Sequence, residues 1–184
     1  LTLLVLCIRI ELKAAYPIFE FKVFANNTAF IFSNLATVIN YMATFALSYL
    51  LSLYLQLVQG LDSSLAGLIL LSQPVTMAIV SPFAGRLSDK IEPRVLSSLG
   101  MGITAIGLFL IIFFSLATPV SLIVANLIFI GVGFGLFAAP NTNAVMSSVD
   151  KRYYSIASST LGTMRLLGQT LSIATVSLIT SIFI

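Results

Sequence analysis

The sequence predicts an all-α polytopic membrane protein, and three observations carry that prediction. Of its 184 residues 59% are apolar and 8% charged, against roughly 25% charged in an average soluble domain. Its mean hydropathy is +1.10. The charges are also clustered: residues 23–61, 63–85, 95–149 and 166–184 contain none. A charge-free apolar run of about 18 residues is already long enough to cross a bilayer as a helix. In hydrocarbon every backbone N–H and C=O must be satisfied internally, which leaves helices or a closed barrel. Barrel strands alternate apolar and polar residues. These runs are continuous, so helices are predicted.

The elements follow in chain order. Leu1 to Ile8 is apolar, with no basic region before it and no small-residue cleavage site after it. It is therefore not read as a signal peptide. It reads as the end of a helix (1–8) whose beginning is missing, so the chain is expected to be a piece of a larger protein. Full spans are predicted at 27–57, 65–84, 95–114, 119–139 and 158–182. In 27–57, Asn34, Thr37, Tyr41, Thr44, Ser48 and Ser52 recur at steps of three or four, which is one helix face. Such a stripe faces either a wet cavity or a neighbouring helix that it helps to bind. Span 65–84 closes at Gly85. Span 95–114 follows Pro93, which suits a first helical turn. Apart from Ser97, Ser98 and Thr104 it is almost wholly apolar, as a lipid-facing helix should be. Span 119–139 holds Asn126, and its Gly131, Gly133 and Gly135 allow close helix approach. Pro140-Asn141-Thr142-Asn143 is expected to end it and open a loop. Span 158–182 carries one charge, Arg165, flanked by Gly162 and Gly168.

The loops orient these spans. Segment 9–22 holds Arg9, Lys13 and Lys22; 85–94 holds Arg86, Lys90 and Arg94; 140–157 holds Lys151 and Arg152. Segments 58–64 and 115–118 hold no base. That alternation is what the positive-inside rule requires of consecutive spans. It places 9–22, 85–94 and 140–157 in the cytoplasm. The net charge of +3 is thus explained by orientation, and nucleic acid is not an expected partner.

Catalytic chemistry is poorly supplied. There is no His, and Cys7 stands alone. No carboxylate lies inside a predicted span. An enzyme is therefore not expected, nor a cofactor or metal site. Arg165 either snorkels to the cytoplasmic interface or needs a polar or acidic partner within the bundle. The loop from Gly85 to Arg94 reads in its own right as a charged hairpin.

That loop, however, resembles the cytoplasmic hairpin signature of the major facilitator superfamily. Gly85, Leu87, Ser88, Asp89, Lys90 and Arg94 match it; Glu92 stands where the family usually has glycine. Three further pieces resemble the fourteen-helix drug/proton antiporter branch. They are Leu53-Tyr54-Leu55-Gln56 with Gly60, Ala66, Gly67 and Pro74; Gly131-x-Gly133-x-Gly135 running to Pro140-Asn141; and Ala157-Ser158 followed by Thr163-x-Arg165-x-x-Gly168. The resemblance implies the carboxy-terminal helix bundle of this fold, incomplete, with counterparts of helices seven to eleven. It implies a central cavity lined by the seventh and tenth helices. The expected cavity residues are then Asn34, Thr37, Tyr41, Thr44, Ser48 and Asn126.

The implied activity is secondary transport by alternating access: efflux of drugs or other hydrophobic or cationic compounds in exchange for protons. The expected partners are the lipid bilayer of the cell membrane, a small-molecule substrate, protons and the missing amino-terminal half. A metabolite importer or facilitator of the same superfamily, or a non-transporting membrane scaffold or sensor, would fit the same residues. In the proteins it resembles, the acid matching Asp89 sits against a helix end of the opposite bundle and latches the outward-facing state. The topology is directly testable. In a Cys7-free full-length protein, single cysteines at Lys13, Lys90 and Lys151 should resist an impermeant thiol reagent added outside cells, and one at Asp62 should react. Labelling at position 90 but not 62 would invert the orientation.

Overall fold

The structure, a computed structural model, describes residues 27–115 and 117–183. The expected fragment 1–8 and the loop 9–22 lie outside the described residues. The rest is helical. Helix α1 (Thr28–Leu53) is capped by Asn27, whose side chain accepts from the Phe30 N–H at 3.0 Å. Such a cap satisfies one of the donors that every helix start leaves over. The Asn27 side-chain amide also donates to the Ser148 carbonyl. The last turn, Tyr54–Val58, widens to a π-helix. The chain then reverses at Gly60, which holds φ +67°, a conformation that glycine adopts without a steric penalty.

Asp62 caps α2 (Ser63–Leu70) through the Ser64 N–H. Helix α3 (Ser72–Ser88) continues it after a break at Leu71. The expected single span 65–84 is thus in two pieces. Pro74 explains the break: it has no N–H to offer the Leu70 carbonyl, and its ring crowds that position. Helix α4 (Pro93–Ile111) begins on its proline. Helix α5 runs Val120–Ser147 and α6 runs Tyr154–Phe183, the latter entered through a 3₁₀ turn at Lys151–Tyr153. Five helical segments are long and apolar enough to cross a membrane: Thr28–Val58, Ser63–Ser88, Pro93–Ile111, Val120–Ser147 and Lys151–Ile182.

One expectation is overturned. Pro140 does not end its helix; α5 passes through it to Ser147. Proline frees the Leu136 carbonyl, but within a membrane bundle neighbouring groups compensate. Here the turn after Pro140 is held by tertiary contacts. Asn141 and Val145 are buried, and Asn141 and Asn143 both hydrogen-bond to other helices.

Helix α5 is the centre of the bundle. It packs along α3 on one side and α4 on the other, while α1 pairs with α6 and both touch α5. Its glycines make this possible. Residues two apart on a helix point about 200° apart and residues four apart about 40°. Accordingly Gly131 and Gly135 meet α3, where a Cβ on Gly131 would fall 2.6 Å from the Gln73 carbonyl oxygen. Gly133 meets α4, where a Cβ would fall 2.7 Å from Thr104 Oγ1 and 2.9 Å from the Gly100 carbonyl oxygen. Gly168 brings α6 against α1, with a Cβ 2.6 Å from the Val38 carbonyl oxygen. Two apolar clusters close the ends. Leu47, Leu51, Leu55, Ile123, Leu127 and Ile130 form one; Phe30, Val145, Tyr153, Ala157 and Leu161 form the other. Large apolar side chains such as Phe32, Ile39, Leu99, Ile106 and Phe109 face outward, as a lipid solvent allows.

These close approaches set an expected outcome. In the full-length protein, Gly131→Ala and Gly133→Ala should each lower stability by about 1–3 kcal/mol, the usual range for overpacking. Gly102→Ala, with nothing within 4 Å of the added carbon, should not. Melting of the detergent-purified variants would check this, and equal melting points would show that the helices part at no cost.

Candidate functional site

The polar stripe of α1 divides along its length. Asn34, Thr37 and Thr44 are 5%, 1% and 5% exposed. Asn34 donates its side-chain amide back to the Phe30 carbonyl at 2.9 Å, and Thr44 donates to the Asn40 carbonyl at 2.7 Å. Thr37 does more. It donates to the Ser33 carbonyl at 2.9 Å and accepts from the Asn141 amide of α5 at 2.8 Å. In this bundle these three side chains lie against neighbouring helices, the placement expected of polar groups that join helices. The stripe's pitch sets a common face, and at Asn34, Thr37 and Thr44 that face is buried within this bundle.

Towards the other end α1 and α6 diverge. Ser48 is exposed there and lines a groove of about 850 Å³ with Phe45, Tyr49, Ile173, Ser177 and Thr180. Tyr41 sits between the two regimes. It is half-buried, and its ring meets Phe134 of α5 edge-on at 5.2 Å. The Arg165 guanidinium carbon of α6 lies 5.8 Å from the centre of the same ring, a cation–π distance. Arg165 Nη2 donates to Thr142 Oγ1 at 3.0 Å, and Thr142 in turn donates to the Ala138 carbonyl at 2.8 Å. Tyr41, Thr142 and Arg165 therefore bring α1, α5 and α6 together at one polar point. Three side-chain atoms of these helices, Asn34 Oδ1, Asn40 Oδ1 and Arg165 Nε, are buried without a hydrogen-bond partner.

Asn126 belongs elsewhere. It is 7% exposed and donates to the Gly107 carbonyl of α4 at 3.0 Å. Seven residues separate it from Gly133, almost two full turns, so both point at α4. In this bundle it ties α5 to α4.

The hairpin residues lie at the ends of α3 and α4. Ser88 donates to the Gly85 carbonyl at 2.7 Å and accepts from the Asn143 amide of α5 at 2.5 Å. Asp89 and Lys90 are exposed at the end of α3. Arg94 stands 3.9 Å from Glu92, both side chains about two-thirds exposed at 64% and 63%. Exposed pairs of this kind contribute about 0–1 kcal/mol.

Sequence reading missed Asn141 and Asn143, because a proline-led Asn-Thr-Asn run is a loop signal. It also missed a clasp at the opposite end. Tyr54 donates its hydroxyl to the Ser115 carbonyl at 2.7 Å, and Gln59 donates to the Tyr54 hydroxyl and the Thr118 carbonyl at 3.1 and 3.0 Å. Among the described residues no group of three His, Cys, Asp or Glu side chains is placed to hold a metal ion.

Comparison with known proteins gives this geometry a family. The model of the Major Facilitator Superfamily matches residues 11–183. The chain is 37% identical over 134 residues to the Uncharacterized transporter YebQ of Escherichia coli (strain K12), covering 72% of this chain and 29% of that protein. It is 28% identical over 155 residues to the Riboflavin transporter RibZ of Clostridioides difficile (strain 630), covering 84% and 34%. It is 28% identical over 166 residues to the Multidrug resistance protein Stp of Mycobacterium tuberculosis, covering 90% and 30%. The chain thus spans about a third of the length of these curated relatives. With five candidate spans, one of them the glycine-lined central helix, and a family match over nearly its whole length, this chain is an integral membrane protein and belongs to the Major Facilitator Superfamily.

Proposed function

We propose that the full-length protein is a secondary transporter working by alternating access, and that it exports small hydrophobic or cationic compounds in exchange for protons. In this reading the present chain is most of its carboxy-terminal bundle. The observation that carries the reading is the distribution of polarity. Tyr41, Thr142 and Arg165 are partly open where α1, α5 and α6 meet, and Ser48, Ser177 and Thr180 continue along the α1–α6 groove. Helix α4, by contrast, turns Leu99, Ile106 and Phe109 outward. A polar path beside apolar walls suits an amphiphilic solute that must leave water without entering lipid. Export is supported by relatives named a Multidrug resistance protein, a Lincomycin resistance protein and a Multidrug efflux pump. Uptake of a metabolite is a second reading, supported by the relative named as a riboflavin transporter.

The carboxylate that would carry the proton is not in the described membrane spans. Asp62, Asp89, Glu92 and Asp150 all sit at helix ends. In this reading the coupling carboxylate belongs to the facing half. Asp89 has a different part in this reading. It is exposed at the end of α3, where it can meet a helix N-terminus of the facing half; such a contact favours an anion by about 0.3–2 kcal/mol.

In drug-sensitive cells, expression of the full-length gene should lower ethidium accumulation, and a protonophore should abolish the effect. Asp89→Asn should slow efflux without loss of folded protein. Riboflavin uptake with no change in ethidium would select the importer instead. The two parts of the stripe should also separate. Ser48→Phe and Tyr41→Leu should change the ratio of transported dyes at constant expression. Thr37→Val and Asn126→Leu should instead lower the folded yield, since each removes a buried hydrogen bond between helices, at about 0.5–1.5 kcal/mol apiece.

A further inference from the structure

Arg165 poses a charge problem that the bundle does not solve. It lies eleven residues into α6, about 16 Å along the helix axis from its start. Charged groups at such depth pair with an opposite charge or face water. Snorkelling does not fully release it either. The side chain leans towards the α5 end of the bundle but stops at Thr142, five residues short of the end of α5. Its observed contacts are a neutral hydroxyl, an aromatic face and nothing at all on the buried Nε. Among the described residues the two ion pairs are Arg94–Glu92 and Arg152–Asp150, both at the ends of the bundle. No described carboxylate reaches Arg165.

The geometry is instead that of a held donor. Thr142 fixes one terminal nitrogen, and the Tyr41 ring, itself braced against Phe134, supports the head. This leaves a pre-oriented guanidinium with donor capacity to spare at the meeting point of three helices. Planar guanidinium is well suited to carboxylate, which it can engage by two parallel charge-assisted hydrogen bonds. We propose that Arg165 is a carboxylate-binding site, holding a carboxylate presented from outside this bundle by a transported molecule or by the facing half of the protein. The proposal rests on the transporter reading and adds an anionic group to it.

The test uses the purified full-length protein as wild type, R165Q, R165K and R152Q, the last removing a surface charge. Binding of carboxyfluorescein is read by fluorescence anisotropy, with ethidium as the cationic comparison. If the carboxylate belongs to a transported molecule, R165Q should weaken carboxyfluorescein binding about tenfold or more, the loss of one charge-assisted contact. R165K should recover part of it, and R152Q and ethidium binding should be unaffected. If the carboxylate belongs to the facing half, the dye will not depend on Arg165. Then R165Q and neutralisation of one facing-half acid should each lower the melting temperature, and the double variant should lower it no further. Equal dye binding by R165Q and wild type, with no acid coupled to Arg165, overturns the proposal. Should R165Q not be recovered folded, phenylglyoxal labelling of Arg165 in the wild-type chain decides. Protection by the dye, or faster labelling on neutralising a facing-half acid, supports the site; indifference to both overturns it. Dye flux across proteoliposomes is measured separately, so that failure of transport and failure of the anion site give different results.

Discussion

The structure depends on how closely α5 can be approached. Lipid tails are as apolar as leucine, so membrane helices gain little by hiding apolar surface from one another; close packing and hydrogen bonds must hold them. Helix α5 touches every other helix of the bundle. It does so because Gly131 and Gly135 remove side chains on one face and Gly133 on the opposite one. Helix α4 answers with Gly100 opposite Gly133, so backbone meets backbone there. Helices α3, α5 and α4 are thereby pressed into a slab. Helices α1 and α6 form a second unit through Gly168, and Ser172 accepts from the Ala46 N–H at 2.8 Å.

The two units are joined differently from the way each is built. Across the α1–α5 and α5–α6 contacts the joints are side chains: Asn141 to Thr37, Phe134 to Tyr41, Thr142 to Arg165. No glycine-mediated backbone approach is found between the slab and the pair among the described residues. Side-chain joints can exchange partners when water or a polar solute arrives, whereas backbone contact at a glycine cannot be loosened without opening a void. The physical division between a stiff slab and a softly joined pair is what gives the polar seam its interest.

Much of the fold was legible because it rests on quantities that sequence carries directly. Charge-free length gives helices, and Arg86, Lys90, Lys151 and Arg152 mark the turns between them. Boundaries were less legible where a local rule met a tertiary one. Pro140 obeys the rule that proline loses a hydrogen bond, yet Asn141, Asn143 and Val145 hold the following turn in place. Pro74 obeys the same rule without such help and does break its helix, at Leu71. Sequence alone gives no way to tell these prolines apart, since the compensating groups Thr37 and Ser88 lie far away along the chain. The candidate site shows the same limit. Period identifies Asn34, Thr37, Tyr41, Thr44 and Ser48 as one face, but only the divergence of α1 and α6 decides that Ser48 is open and Thr37 closed.

That divergence also orders the polar groups by what they cost when exposed. Thr44 satisfies its hydroxyl within its own helix, so lipid or water beside it changes little. Asn141 donates across helices to Thr37 and to the Ser33 carbonyl, and separating the helices in hydrocarbon would strand its amide, at about 1–3 kcal/mol, while Thr37 keeps its own bond to Ser33. Water entering the gap would take over those bonds and remove most of that penalty. The α1–α5 joint therefore resists opening towards lipid and tolerates opening towards an aqueous path. Arg165 strengthens the asymmetry, because a guanidinium is far less costly beside water than beside acyl chains. Polar residues that close the seam in a dry bundle are thus the same ones that let it open on the side where water can follow.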